Sequence, residues 1–262
     1  MTIYQEEHQM AKERLSACIV LYNSGDTVMD TLASLEAANE RVDVYIVDNS
    51  PGDGVADKIR WMHPGVQLRT QKKNLGFGRG HNVVLGELES EYHLILNPDV
   101  TFDKDVLTRM IAYMDAHQDA VALTPRVFNE DGTEQLLPKR APTIRYMVGR
   151  RLAHLGGMFD SWNREYTMTQ NGSPHTPIRV EFASGCCMLV RTKILKQLGG
   201  FDPSFFLYHE DSELSDRLTE LGPIIYHPDM KITHAWKRDS AHSPKLFLQH
   251  LWATVQYFSK RR

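Results

Sequence analysis

Val42-Asp43-Val44-Tyr45-Ile46-Val47-Asp48-Asn49-Ser50-Pro51-Gly52 is an apolar run that breaks into turn-forming residues. Such a run reads as a buried strand whose carboxyl end carries Asp48. The same pattern recurs on both sides of it. Upstream, residues 16–21 (Ser-Ala-Cys-Ile-Val-Leu) run into Tyr22-Asn23-Ser24-Gly25. Thr27 and Asp30 then fit a capping box, followed by Val28, Leu32 and Leu35 at helical spacing. Downstream come a helix over 55–62, a strand over 66–69 and a glycine-rich loop over 74–80 that leads into a helix over 82–88. A strand over 93–96 closes on Asn97-Pro98-Asp99. A helix from 103 or 104 to about 117 and a strand over 121–125 follow. Strands alternating with helices predict an α/β fold with a doubly wound, mostly parallel sheet. Ligands of such sheets bind outside the carboxyl ends of the strands. The segments 22–24, 48–50 and 97–99 should therefore meet in one crevice.

The second half is less regular. Residues 143–159 mix Arg145, Arg150, Arg151 and His154 with apolar side chains, 170–177 read as a loop, and 180–190 as a strand or hairpin. A helix over 192–198 stops at Gly199-Gly200, as helices often do. An aromatic loop over 201–208 precedes a helix over 210–221, with Leu214, Leu218 and Leu221 on one side. The last helix, 244–258, holds Leu246, Leu248, Leu251, Trp252, Val255 and Phe258, which leaves an oligomer through it open. The expected organisation is a polar tail over 1–14, a globular domain over 15–240 and a C-terminal helix over 241–262. Within the domain, the regular 15–125 and the less regular 126–240 read as two halves.

The 262 residues carry a net charge of −3, so the chain is not an electrostatic nucleic-acid binder. Cys18, Cys186 and Cys187 form neither a disulfide framework nor a zinc motif and read as small buried hydrophobes. Residues 1–14 lack the apolar core of a signal peptide, and no run approaches the roughly 18 apolar residues of a membrane span. The expected location is the cytoplasm, with contact at the inner face of the cell membrane left open.

Several residues have the chemistry of a site. Asp99 is a carboxylate aimed by Pro98 at the crevice, where a hard divalent cation would take oxygen ligands together with substrate phosphates. Asp48 suits a nucleobase or ribose, or equally an Asx turn with Asn49 and Ser50. The glycines of 74–82 allow close backbone approach to a ligand, and Arg79 suits a phosphate, although a flexible turn explains the loop as well. Its spacing is neither a dinucleotide fingerprint nor a P-loop. Glu210 and Asp211 open a helix, where acidic residues also suit the macrodipole. Adjacent helical residues point about 100° apart, so they do not flank one glycosidic bond as two hydrolase carboxylates would. Asp211 is the preferred lone base. His234, after a strand-like run, is a candidate metal ligand.

Taken in order, these segments resemble the family 2 glycosyltransferases of GT-A fold, and among them the rhamnosyltransferases of bacterial O-antigen and cell-wall polysaccharide synthesis. The matching stretches are Val20-Leu21-Tyr22-Asn23, Val47-Asp48-Asn49-Ser50, Asn74-x-Gly76-Phe77-Gly78-x-Gly80-x-Asn82 and Leu96-Asn97-Pro98-Asp99. Ser184-Gly185-Cys186-Cys187-Met188-Leu189-Val190, the run from Gly199 through Tyr208, Glu210 and Asp211 to Leu214, and His234 complete the series. Each is weak alone; their order and spacing over about 16–234 are specific.

The resemblance implies that 15–240 is the glycosyltransferase domain, with a Rossmann-like nucleotide-sugar half over about 15–125 joined to an acceptor-binding half over about 126–240. It implies that Tyr22, Asn23, Asp48, Asn74, Gly76, Gly78, Arg79, Asn82 and Asn97 contact the nucleotide-sugar. Asp99 and His234 would hold a divalent cation, Mg2+ or Mn2+. Asp211 would be the catalytic base, and Gly185, Tyr208 and Glu210 would meet the acceptor. Asn97 stands where the family's first Asp of Asp-x-Asp would be, so Asp99 carries most of the metal load. The implied reaction is inverting transfer of L-rhamnose from dTDP-L-rhamnose to a glycan or polyprenyl-diphosphate-linked sugar. A UDP- or GDP-sugar transferase is the alternative. A nucleotidyltransferase and a non-catalytic sugar-binding module fit less well: the first strand lacks a basic glycine loop, and a binding module needs no base.

Overall fold

The computed structural model describes residues 13–235 and 244–261; nearly all of the expected polar tail lies outside them. The strands are β1 (Leu15–Leu21), β2 (Val42–Asp48), β3 (Gln67–Thr70), β4 (Tyr92–Leu96), β5 (Val100–Phe102), β6 (Ala122–Phe128), β7 (Glu134–Gln135), β8 (Ile178–Val180), β9 (Cys187–Arg191) and β10 (Ile224–His234). They form one sheet in the order β3-β2-β1-β4-β9-β6-β10-β5, with β7 on β6 and β8 on β10. The block β3-β2-β1-β4 is parallel throughout, whereas β9 enters antiparallel to both β4 and β6.

Alternation explains why β1 is buried from end to end. Leu15, Ala17, Ile19 and Leu21 face one apolar core, while Cys18 and Val20 face the other. Helices cover both faces, as a parallel sheet requires. They are α1 (Thr27–Glu36), α2 (Val55–Met62), α3 (Phe77–Asn82), α4 (Val106–Ala116), α5 (Ile144–Leu152), α6 (Gly157–Tyr166), α7 (Thr192–Gln197), α8 (Glu210–Leu221) and α9 (Pro244–Lys260). All three cysteines are buried and free, and burial pushes their thiols up. No helix among the described residues is long and apolar enough to cross a membrane.

The structure corrects four local expectations. The helix after the glycine loop is not 82–88: it starts at Phe77 and holds Gly78 and Gly80 within it. Side chains there would collide with Phe201 and Val20, so the glycines serve packing. The 180–190 segment is no hairpin; β8 pairs with β10 and β9 lies between β4 and β6. The Thr27 hydroxyl donates to the Ser24 carbonyl at 2.7 Å, and no capping box forms. Leu214 and Leu218 are buried but Leu221 is exposed.

Candidate active site

Parallel register brings the strand ends together. Leu21 pairs with Asp48, and Ile19 with Leu96 one step before Asn97. Asp48 is 1% exposed, and its Oδ1 accepts from the Ser50 amide at 2.9 Å, so it forms the Asx turn. Asn49, which the sequence placed in the same turn without a ligand role, is buried beside it and donates through Nδ2 to the Gly76 carbonyl at 3.1 Å. The Asn74 side chain accepts from the Gly76 amide at 2.8 Å. Gly76 has φ +85°, and a side chain there would strike the Phe206 carbonyl, so no other residue closes this loop against the aromatic segment. Tyr22 is exposed at the mouth and Asn23 has a positive φ of 51°.

Two residues expected on the nucleotide are engaged elsewhere. Asn82 donates to the Phe201 carbonyl at 2.7 Å and accepts from the Phe201 amide at 2.9 Å. Arg79 donates to the Pro203 carbonyl. Their polar groups fasten the 201–206 loop over α3. Gly78, from the same expectation, packs against Phe201.

A second cluster forms where β5 and β10 pair. His234 lies opposite Val100, and the Ala235 amide donates to the Asp99 carbonyl at 2.9 Å. Asp99 Oδ1 is buried 3.3 Å from His234 Nε2, out of hydrogen-bond alignment and without a partner. Asn97 Nδ2 is 3.2 Å from the same ring nitrogen. No group of three or more His, Cys, Asp or Glu side chains gathers as a metal site among the described residues. An unpartnered carboxylate oxygen beside an imidazole nitrogen nevertheless fits a cation that takes its remaining ligands from substrate phosphate and water.

The chain links this cluster directly to Asp211. The Asn97 amide donates to the Cys186 carbonyl at 2.9 Å, and the neighbouring Gly185 amide donates to Asp211 Oδ2 at 3.4 Å. Gly185 leaves no space for a side chain: a Cβ would lie 2.7 Å from Phe77. Asp211 Oδ1 accepts from the Ser212 amide at 2.8 Å. Burial raises the Asp211 carboxyl, against the opposing pull of the Gly185 amide and the Lys139 charge. Burial, then the Asp211 charge, raises Glu210 as well, and Glu210 Oε2 has no partner.

Tyr208 and His209, just before α8, have φ of 73° and 62°. Two consecutive non-glycine residues in the left-handed region store strain that surrounding contacts must hold. Here α9 holds it. His209 Nε2 lies 3.1 Å from Thr254 Oγ1 and the ring stacks on Tyr257, while Tyr208 lies against His250.

Lys139 and Arg150 join this side; the sequence marked Arg150 as part of the mixed 143–159 segment and offered no signal for Lys139. Lys139 bridges to Phe182, and its ammonium lies 5.0 Å from that ring and 6.0 Å from Tyr166. Burial, helped by Arg150 and opposed by Asp211, lowers its pKa to about 8. The charge of Arg150, from exposed α5, also reaches Tyr166, His209 and His250.

Strand-end amides and carboxylates on one side, and a desolvated aspartate across Gly185 on the other, define a GT-A glycosyltransferase. Residues 16–199 match the family model for Glycosyl transferase family 2, and the chain belongs to that family. Over 245 residues it is 29% identical to the N-acetylglucosaminyl-diphospho-decaprenol L-rhamnosyltransferase of Mycobacterium tuberculosis, covering 88% of this chain and 78% of that one. It is 24% identical over 255 residues to the rhamnosyltransferase WbbL of Escherichia coli, covering 93% and 92%. The mannosyltransferase PcManGT from Pyrobaculum calidifontis, solved in complex with GDP-Man and Mn2+, superposes with a TM-score of 0.66 at 17% identity. That match covers 96% of this chain and 65% of the solved one. TarS 1-349 of S. aureus superposes at 0.60 with 19% identity, over 84% of this chain and 60% of the solved one. This chain thus spans under two thirds of both solved chains, and at these identities the likeness fixes the fold.

Proposed function

We propose that the chain transfers L-rhamnose from dTDP-L-rhamnose to a sugar hydroxyl, inverting the anomeric carbon. The observation that carries this is Asp211, desolvated and tied through Gly185 and Cys186 to the strand end bearing Asn97 and Asp99. Asp211 takes the proton of the acceptor hydroxyl, and that oxygen attacks the anomeric carbon. The bond to the diphosphate breaks and the nucleoside diphosphate leaves. One base and one in-line displacement give inversion. Asp48, Asn49 and Asn74 face the nucleoside side of the crevice. A divalent cation, Mg2+ or Mn2+, held by Asp99 and His234 with the diphosphate would supply charge neutralisation for the leaving group. The choice of rhamnose rests on the relatives named for it; a UDP- or GDP-sugar is the second reading.

On the acceptor side, Lys139 and Arg150 favour an anionic group, in keeping with a relative named for a diphospho-decaprenol sugar. Apolar side chains stand out nearby: Ile144, Val148, Leu155 and Met158 around α5 and α6, and Leu248, Leu251, Trp252 and Val255 along one stripe of α9. This arrangement supports a lipid-linked acceptor met at the cytoplasmic membrane surface. It also supports the division into a nucleotide-sugar half over 15–125, an acceptor half over 126–240 and a C-terminal helix over 241–262.

The test is release of nucleoside diphosphate from a panel of nucleotide-sugars, with and without membrane lipid extract. Release of dTDP from dTDP-rhamnose alone, lost on adding EDTA, is expected. Release from a UDP- or GDP-sugar instead discards rhamnose and keeps the transferase. Release from none of them, even with extract, overturns the donor assignment.

A further inference from the structure

The turn between β6 and β7 ends inside the crevice on Gln135, which is buried. Its Nε2 donates to Asn129 Oδ1 at 2.8 Å and to the His234 carbonyl at 3.0 Å; its Oε1 lies 3.2 Å from His234 Nδ1. Identities around the turn fix the direction of these bonds. Asp131, whose carboxyl the Thr133 hydroxyl and amide hold below the usual range, is ionised and can only accept. The Thr133 hydroxyl donates to Asp131 Oδ1 at 2.6 Å, so towards Asn129 it can only accept. Asn129 Nδ2 fills that role at 2.8 Å, which turns Asn129 Oδ1 to Gln135. Gln135 must then offer nitrogen to Asn129 and to the His234 carbonyl, leaving only Oε1 for the imidazole. A reversed amide would set oxygen against two oxygens.

An imidazole facing a carbonyl oxygen through Nδ1 carries a proton there, which in the neutral ring leaves Nε2 as a lone-pair acceptor. Nε2 is the atom 3.2 Å from Asn97 Nδ2 and 3.3 Å from the unpartnered Asp99 Oδ1. Two electron-rich atoms at that separation oppose each other until a cation lies between them.

We infer that Gln135 is a positioning residue, oriented through Asp131, Thr133 and Asn129, that fixes His234 as the Nδ1–H tautomer and so presents Nε2 as a ligand for a divalent cation. This rests on the metal reading of Asp99 and His234 given above. Metal-bound histidines commonly donate their other ring N–H to an oxygen acceptor, and removing that acceptor weakens metal binding roughly 10–100-fold. Here the acceptor is an amide whose polarity is set from the protein surface.

Two measurements on the full chain test it. Long-range 1H–15N correlation of the metal-free, 15N-histidine-labelled protein, with His234 assigned by its loss in His234→Gln, reads the tautomer. A protonated Nδ1 and a pyridine-like Nε2 are expected; a proton on Nε2 overturns the inference outright. Mn2+ titration followed by the EPR signal of the free ion, alone and with dTDP, reads the ligand. Gln135→Leu should release the tautomer and weaken Mn2+ binding on the order of 10–100-fold. Thr133→Val removes the polarity from an exposed position and guards against a folding defect in the buried variant. It should give a mixed tautomer and a smaller loss. An unchanged tautomer and Mn2+ affinity in both variants overturn the positioning role alone. The expected tautomer with no Mn2+ binding in the parent overturns the metal reading and the ligand half of the inference together.

Discussion

On the Asp99 side of the crevice, groups are aimed by side-chain amide hydrogen bonds: Gln135 to His234, Asn97 to His234, Asn49 to Gly76. Around Asp211 the control is burial, which raises Asp211 and Glu210 and lowers Lys139, His209 and His250. Under the proposed transfer, the difference follows from what each side would receive. A diphosphate and a cation bring their own charge, so the donor side needs direction and oxygen or nitrogen lone pairs. An alcohol brings a tightly held proton, so the acceptor side needs a base with more proton affinity than an ordinary aspartate, and desolvation supplies it.

The substitution that breaks this comparison most sharply is Asp211→Asn. It keeps the shape and one acceptor oxygen for the Gly185 or Ser212 amide but cannot take a proton. Transfer should fall by about 10²–10⁴-fold. Calorimetric dTDP affinity should stay as in the parent, because the proposed nucleotide site lies across the crevice at the strand ends. Substantial residual transfer would remove Asp211 as base. A parallel loss of dTDP binding would show that the two sides are not separable.

Lys139→Met sharpens the comparison from the acceptor side. Two acceptors of the same sugar and tail, with and without the diphosphate, separate charge recognition from the rest. The parent should prefer the charged one, and Lys139→Met should lose about 10-fold or more of that preference, the scale of one hydrogen bond to a charged group. The parent's preference should also fade as pH rises through about 8, where the lowered Lys139 gives up its proton. A parent indifferent to the diphosphate would return Lys139 to a purely local partner of Asp211.

How much of this was readable beforehand differs between the two sides. Asp48, Asn97 and Asp99 announce themselves because strand periodicity ends where they begin, and a parallel sheet turns those ends into one place. His234 was legible by motif order, yet only the β5–β10 pairing explains its place beside Asp99. Gln135 and Lys139 gave no signal. One ends a two-residue strand and the other an isolated bridge, so neither belongs to a pattern with a period. Gly78, Arg79 and Asn82 misled for the opposite reason. Glycines and polar groups in a loop suit a ligand, but they also suit close packing, and the 201–206 segment that occupies them lies over 100 residues away in sequence.

The gentlest probe of the contrast is Glu210→Gln, read as thermal stability against pH. Glu210 is 4% exposed and its carboxyl is raised, by burial first and by the Asp211 charge second. In the unfolded chain a glutamate ionises near its ordinary value of about 4.3. Between that value and the raised one, the folded protein holds a proton that the unfolded chain has released. Raising the pH through this window therefore favours unfolding, and the stability present in acid is lost. Glutamine has the size of the protonated acid and no proton to lose. The two melting curves should coincide near pH 4 and draw apart in favour of Glu210→Gln as the pH rises from there towards about 8, by about 2–4 °C for each kcal/mol in a chain of this size. Curves that stay parallel across the range would mean that Glu210 ionises as freely as a surface carboxylate. The desolvation argued for Asp211, its immediate neighbour at the start of α8, would then fall with it.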